Sequence, residues 1–187
     1  MRPRLIATAA VVASLVLGAV TLFYRQAIAH GFSAREKPWA IEAFAARHLR
    51  RLATGTESAQ LRNPYVASPE LLADARDHFA NHCALCHAVD GSGKTEIAEG
   101  LYPPAPDLRD PNTQELSDGE LFAIIRNGFR FTGMPGWGGE DTDDEIWQLV
   151  VFVRHLPDLS EEELQLMREI HPEERPGGHE HGHKHEH

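Results

Sequence analysis

The chain has 187 residues, 18 basic and 28 acidic side chains and a formal charge of −10, which is room for one ordinary domain with appendages. At 42% hydrophobic and 25% charged residues, wholesale disorder, a collagen-like repeat and a polytopic membrane protein are excluded. The charge is unevenly spread, +6 over residues 1–67, −11 over 68–160 and −5 over 161–187. An acidic middle is repelled by phosphates, so nucleic acid is not the expected partner and basic protein surfaces are.

Residues 5–24 carry no charge and are bounded by Arg2 and Arg4 on one side and Arg25 on the other. Twenty helical residues span about 30 Å, the thickness of a bilayer's hydrocarbon core. Residues 1–29 are therefore expected to be a signal-anchor or a signal peptide, with Ala27-Ile28-Ala29 as a cleavage site. The length suits the anchor better. Either reading exports the rest of the chain, either anchored to the inner membrane and facing the periplasm or released into it. A buried core helix of such uniform apolarity would need cover on every side, which the remaining chain is too small to give.

Residues 30–67 are expected to form a basic amphipathic helix and a linker. After Pro38, Ile41, Phe44, Ala45, His48, Leu49 and Leu52 recur at helical spacing, and Arg47, Arg50 and Arg51 fall on other positions. Two roles stay open for this helix: lying on an anionic membrane surface, or packing its apolar stripe on the domain that follows. Thr54 to Ser68, with Gly55, Asn63 and Pro64, has the composition of a linker.

Residues 68–160 carry the pattern of a small helical domain. Ser68-Pro69-Glu70 supplies an N-cap, a proline at the first helical position and an early acid, and predicts a helix to about His82. Asp90–Gln114 has no usable periodicity and predicts a long irregular loop, a length that is usually functional. Ser117 with Glu120 and Thr142 with Glu145 are capping boxes. They predict one helix closing at Gly128 and another, rich in Trp and Val, ending before Pro157. No strand-like alternation appears. The expected fold is all-α, and so few short helices bury little apolar surface by themselves.

The cysteines number two and stand together in Cys83-Ala84-Leu85-Cys86-His87. This C-x-x-C-H pattern is the attachment signature of a c-type haem, in which two thiols add to the vinyl groups and the adjacent histidine reaches the iron. Residues three apart share one face of a helical turn, so both sulfurs meet one edge of a macrocycle. Three bland readings compete. A thioredoxin-like dithiol needs a βαβ context. A zinc site needs two more donors, for which His78 and His82 are near in sequence. A disulfide across two residues would be strained and weakly stabilising.

If His87 is the fifth ligand, Met134 is the expected sixth. It stands in Gly133-Met-Pro-Gly-Trp-Gly-Gly139, where Gly133 and Gly136 are expected to let the backbone approach a flat ligand and Pro135 stiffens the turn. A thioether is a soft donor that raises the potential and suits electron transfer. Met167, in a Glu-rich segment, reads as ordinary packing. His78, His82 and His155 are the alternatives to Met134.

Together these residues give 68–157 a resemblance to a class I mono-haem cytochrome c domain: a first helix leading into Cys83–His87, a loop with Tyr102-Pro-Pro-Ala-Pro-Asp-Leu108, a Gly-Met-Pro turn and a closing helix. The resemblance implies short helices and long loops around one covalent haem. It implies that a proline carbonyl, from Pro103 or Pro104, accepts the Nδ1 hydrogen of His87. It also implies that the first and last helices cross with Phe79 near Trp147 and Val150.

Residues 161–187 are expected to be a solvated acidic helix and a His-rich tail. His179, His181, His183, His185 and His187 alternate with Glu, Gly and Lys, a composition that suits Cu, Ni or Zn. The expected function is a one-electron carrier with redox protein partners, not an enzyme, because an iron held by both His87 and Met134 leaves no position for substrate. Alternatives are a haem subunit of a larger oxidoreductase or metal-linked redox system, and a haem-based sensor.

Overall fold

Residues 2–30, 41–46, 48–49 and 58–170 are described by the computed structural model, and every regular element among them is helical. Two units separate, Met1–Lys37 and Pro38–His187. The first contains α1, Arg2–His30, whose stretch Leu5–Gln26 is long and apolar enough to cross a membrane. Its large apolar side chains, among them Leu5, Leu17 and Phe23, are exposed, so α1 is no core helix.

In the second unit, α2 covers residues 41–46 and 48–49. Ile41, Phe44 and Leu49 on it are exposed, so its apolar stripe is not packed on the domain. Residues 58–68 form a strap and not the free linker that their composition suggests. The Asn63 side chain donates to the Trp147 carbonyl at 2.9 Å and accepts from the Tyr65 amide at 3.0 Å. The Ser58 carbonyl lies where a side chain on Gly119 would stand.

The domain proper is built on α3 (Pro69–His82), α7 (Asp118–Asn127) and α8 (Asp143–His155). Three shorter helices, α4 (Ala84–His87), α5 (Glu96–Glu99) and α6 (Pro111–Gln114), punctuate the segment between α3 and α7. The long helices start where their sequences say. The Ser68 side chain accepts from the Leu71 amide, and both capping boxes close in full, each worth about 1 kcal/mol. Gly128 terminates α7, and α8 gives way to a 3-10 turn, Leu156–Asp158, that includes Pro157.

α3 packs on α8, and α7 on α8. Phe79, Ile146, Leu149, Val150 and Phe152 are fully buried between them. The expected crossing of first and last helices is present, but the aromatic pairing differs. Phe79 packs on the Phe152 ring, with centroids 5.3 Å apart, and Trp147 stacks on Phe122 at 4.1 Å and 15°. The reason is helical register: Phe152 lies five residues beyond Trp147, so the two rings point to different neighbours.

α9 (Glu161–Ile170) corrects the expectation of a solvated helix. It packs on α3, Met167 is wholly buried in the core, and His155 meets Glu163 across 2.8 Å. Its acids line the outer side of an amphipathic helix. The packed unit therefore runs past residue 160 to Ile170. The tail histidines His179, His181, His183, His185 and His187, like Arg47, Arg50, Arg51 and Leu52, lie outside the described residues.

Candidate functional site

Cys83 caps the end of α3, and α4 begins at once. The amides of Cys86 and His87 both donate to the Cys83 carbonyl, at 3.1 and 2.9 Å, so the attachment pattern is wound into one helical turn. Both cysteines are free thiols and half-buried, not a disulfide. Burial, reinforced by the negative charge of Asp141 and by Cys86, pushes the Cys83 thiol up to about 12, and burial raises that of Cys86 as well. Both thiols are therefore held protonated at neutral pH.

Burial lowers the pKa of His87, an effect partly opposed by the backbone carbonyl of Pro106. The ring is kept neutral, as a metal ligand must be. Its Nδ1 is buried with no hydrogen-bond partner, although the Pro106 carbonyl is near enough to favour the protonated ring. The proline whose carbonyl faces His87 is thus Pro106, and neither Pro103 nor Pro104. The choice is made by the loop that carries them. The Leu108 amide donates to the Gly91 carbonyl at 2.8 Å and the Gly93 amide to the His87 carbonyl at 2.9 Å, which brings Ala105 and Pro106 over Gly93.

That loop is irregular but tied. Arg109 grips both carboxylate oxygens of Asp107 at 2.9 and 2.8 Å and reaches Asp90 at 3.1 Å. The Gln114 side chain donates to the carbonyls of Leu108 and Val153 at 2.7 and 2.9 Å. The Arg109 side chain beside Asp107 holds that carboxyl below its ordinary value. A depressed carboxyl pKa gives stability that is present above the unfolded value and lost as pH falls through the folded one. Arg109→Ala is expected to cost about 0.5–1 kcal/mol at pH 7, since the pair is a third exposed. The difference should fade below about pH 3.8, as read by urea unfolding at several pH values.

Immediately after His87 the chain turns through Ala88, at φ 62° and ψ 157°, a region that non-glycine residues rarely occupy. Ala88 is buried. This turn sends the chain from the imidazole toward Asp90 and the Arg109 anchor.

Met134, half-buried, sits in a loop stitched to the end of α7. The amides of Trp137 and Gly138 donate to the carbonyls of Ile125 and Arg126, at 3.0 and 2.9 Å, and the Phe129 amide donates to the Met134 carbonyl at 3.1 Å. These bonds satisfy helix-end carbonyls and fix the loop together. The glycines serve this packing. The missing side chain of Gly136 leaves room for the Asn127 backbone, and that of Gly133 for the Leu101 side chain.

Of the histidines weighed against Met134, two lie against carboxylates and one against an aromatic ring. His78 Nε2 lies 3.2 Å from Asp141 Oδ2, His82 makes an edge contact with the Trp137 ring at 5.5 Å, and His155 pairs with Glu163. Among the described residues no group of three or more His, Cys, Asp or Glu side chains is placed to hold a metal ion, so the zinc reading lacks a donor set. The thioredoxin reading lacks its strands among the described residues.

Tyr102 closes the loop on its other side. Burial, then a hydrogen bond with the Glu42 carboxylate, pushes its phenol up to about 12, which links α2 to the segment ahead of Pro106.

Two protonated thiols on one turn, a neutral, half-buried imidazole whose Nδ1 is buried without a partner, and a neutral thioether in a braced loop suit a covalently held haem. Cys83, Cys86 and His87 would attach and ligate it, and Met134 is the sixth-ligand candidate. When bound, a haem iron supplies a one-electron couple.

Comparison with known proteins agrees. Residues 70–153 match the family described as cytochrome c oxidase, cbb3-type, subunit III. The chain is 33% identical over 91 residues to the cbb3-type cytochrome c oxidase subunit FixP of Rhizobium meliloti (strain 1021), covering 48% of this chain and 29% of that protein. It is 32% identical over 92 residues to subunit FixPc of Rhizobium leguminosarum bv. viciae, at 48% and 29% coverage. Against subunit CcoP of Cereibacter sphaeroides the identity is 30% over 86 residues, at 46% and 28%. The chain matches less than a third of the length of these relatives.

Proposed function

We propose, from the premise that residues 70–153 are a c-type cytochrome domain with the all-α class I fold, that this chain is a membrane-tethered mono-haem electron carrier of the periplasm. The observation that carries the reading is the joint placement of Cys83, Cys86 and His87 on one turn at the end of α3, with the His87 Nδ1 buried. Cys83 and Cys86 would hold haem c covalently, and His87 and Met134 would supply the protein ligands of its iron. Pro106 orients the imidazole through its carbonyl. α1 keeps the domain at the inner membrane. The net −11 of residues 68–160 steers redox partners with basic docking surfaces toward it.

The names of the relatives favour a second reading, a haem subunit within a larger oxidoreductase. Electron transfer through the same site serves both. A sensor, by contrast, needs an open sixth position.

Spectroscopy of the full chain, matured with haem in a competent periplasm, tests the carrier. Ferric protein is expected to be low-spin with the weak methionine-to-iron band, and ferrous protein is expected not to bind carbon monoxide. Met134→Ala should abolish the band and admit carbon monoxide. Wild-type protein that is high-spin and binds the gas, or a band that survives the substitution, would overturn the ligand assignment.

A further inference from the structure

We propose that α2 is an interfacial helix that lies on an anionic lipid surface and holds the Tyr102–Leu108 side of the domain against it. Ile41, Phe44 and Leu49 are 74%, 54% and 62% exposed, though their spacing places them with Ala45 and His48 on one helical face. Three large apolar groups on less than three turns, bare to water, make a surface that awaits a partner.

Charge and chain length identify the partner as lipid. Between Arg25 and Leu52 the chain carries six basic residues, Arg25, Arg35, Lys37, Arg47, Arg50 and Arg51, against Glu36 and Glu42. This stretch is cationic in a chain of net charge −10, so it is the part that anionic headgroups attract while they repel the rest. Ten residues, 31–40, separate the end of α1 from the start of α2. Fully extended they reach at most about 35 Å, so a membrane-spanning α1 keeps α2 within reach of the headgroup layer. An apolar helical stripe within an arginine-rich stretch of sequence is the composition of a helix that lies in that layer.

The consequence for the domain follows from one contact. Glu42, on α2, is hydrogen-bonded to Tyr102, and Tyr102 opens the loop that brings Pro106 to His87. A helix seated in the headgroups therefore fixes which side of the domain faces the membrane, and restricts the partners that reach it to those at the same surface.

The inference rests on α1 being a tether, and the test separates the two. Full-length holoprotein is placed in nanodiscs of phosphatidylcholine, or of phosphatidylcholine with one third phosphatidylglycerol. A single spin label is introduced at Ile41→Cys, Phe44→Cys or Ala46→Cys, since the two native cysteines are consumed by haem. Labels at 41 and 44 should become more accessible to oxygen than to a water-soluble nickel chelate, and more so in the anionic discs, with the label at 46 on the polar side showing the reverse. Equal aqueous accessibility at all three positions in both lipids would overturn the proposal. Shielding at 41 and 44 that depends on protein concentration rather than on lipid would overturn it too, in favour of a second copy.

As a second measurement, a protease site is placed between Gly31 and Lys37 and cut after reconstitution. Cut wild-type domain should stay on anionic discs at low salt, with retention at least fivefold below that level for Ile41→Glu/Phe44→Glu, which replaces exposed side chains and is expected to leave the helical circular dichroism unchanged. Equal retention of the two would overturn the proposal. If the uncut protein itself leaves the discs, the tether is wrong, an outcome that the cut sample cannot mimic.

Discussion

Replacing Gly128 by alanine is expected to destabilise the holoprotein by on the order of 3 kcal/mol and to remove the Met134 contribution to its spectrum. Gly128 ends α7 at φ 65° and ψ −169°, a combination open to glycine and costly, at about 1–3 kcal/mol, for any residue with a Cβ. Space adds to the strain. A Cβ there would meet the Gly136 nitrogen and the Pro135 carbonyl carbon at 2.5 Å and the Met134 carbonyl oxygen at 2.8 Å. All three are backbone atoms that no rotamer change can move. Gly136 makes the reciprocal approach, with 2.7 Å between its would-be Cβ and the Asn127 carbonyl. Two chain segments thus pass backbone against backbone, and the Met134 loop is located by that crossing. Denaturant unfolding, with the methionine-to-iron band followed in parallel, checks both parts. Gly139→Ala is the control, since nothing lies within 4 Å of its Cβ position, and it should change stability by no more than about 0.5 kcal/mol. A Gly128→Ala protein with an unaltered band would show that the crossing does not hold Met134.

What could be read from the chain before folding is what local chemistry decides. Ser68, Ser117 and Thr142 announce helix starts because a cap and its partner lie within three residues of each other. That Cys83, Cys86 and His87 share one turn is legible because their spacing is that of a helical turn. The proline that faces His87 is different. Three prolines stand within Tyr102–Leu108, and the choice of Pro106 depends on Leu108 bonding Gly91 and on Gly93 bonding His87, contacts between segments that no spacing rule relates. The same holds for the strap, whose Asn63 reaches 84 residues along the chain to Trp147.

The packing of α9 on the core was hidden for another reason. Its run of glutamates suggests solvent, yet Leu164, Met167 and Ile170 recur at intervals of three and Ser160 caps the helix with Glu163. The signal was present, and composition masked periodicity. Its burial matters to the site because Met167 closes the core against α3, the helix that delivers Cys83.

Gly93→Ala should separate the two sides of the site. Gly93 has φ +68°, and a Cβ there would lie 2.5 Å from the Ala105 carbonyl oxygen and 2.9 Å from that of Pro106. An expected loss of about 2–3 kcal/mol follows from strain and collision together. The displaced group is the Pro106 carbonyl, whose influence on His87 favours a proton on the ring. If the Pro106 carbonyl accepts from His87 Nδ1 once the ring is ligated, losing it would make His87 a weaker donor, which would stabilise ferric iron less, so the reduction potential should rise. The Met134 loop is braced on α7 through Gly128, Trp137 and Gly138 and makes no use of Gly93, so the methionine-to-iron band should remain. A raised potential with an intact band assigns Pro106 to His87 through Gly93. Loss of the band with no change in potential would reverse that assignment, because the substitution would then act on the methionine side.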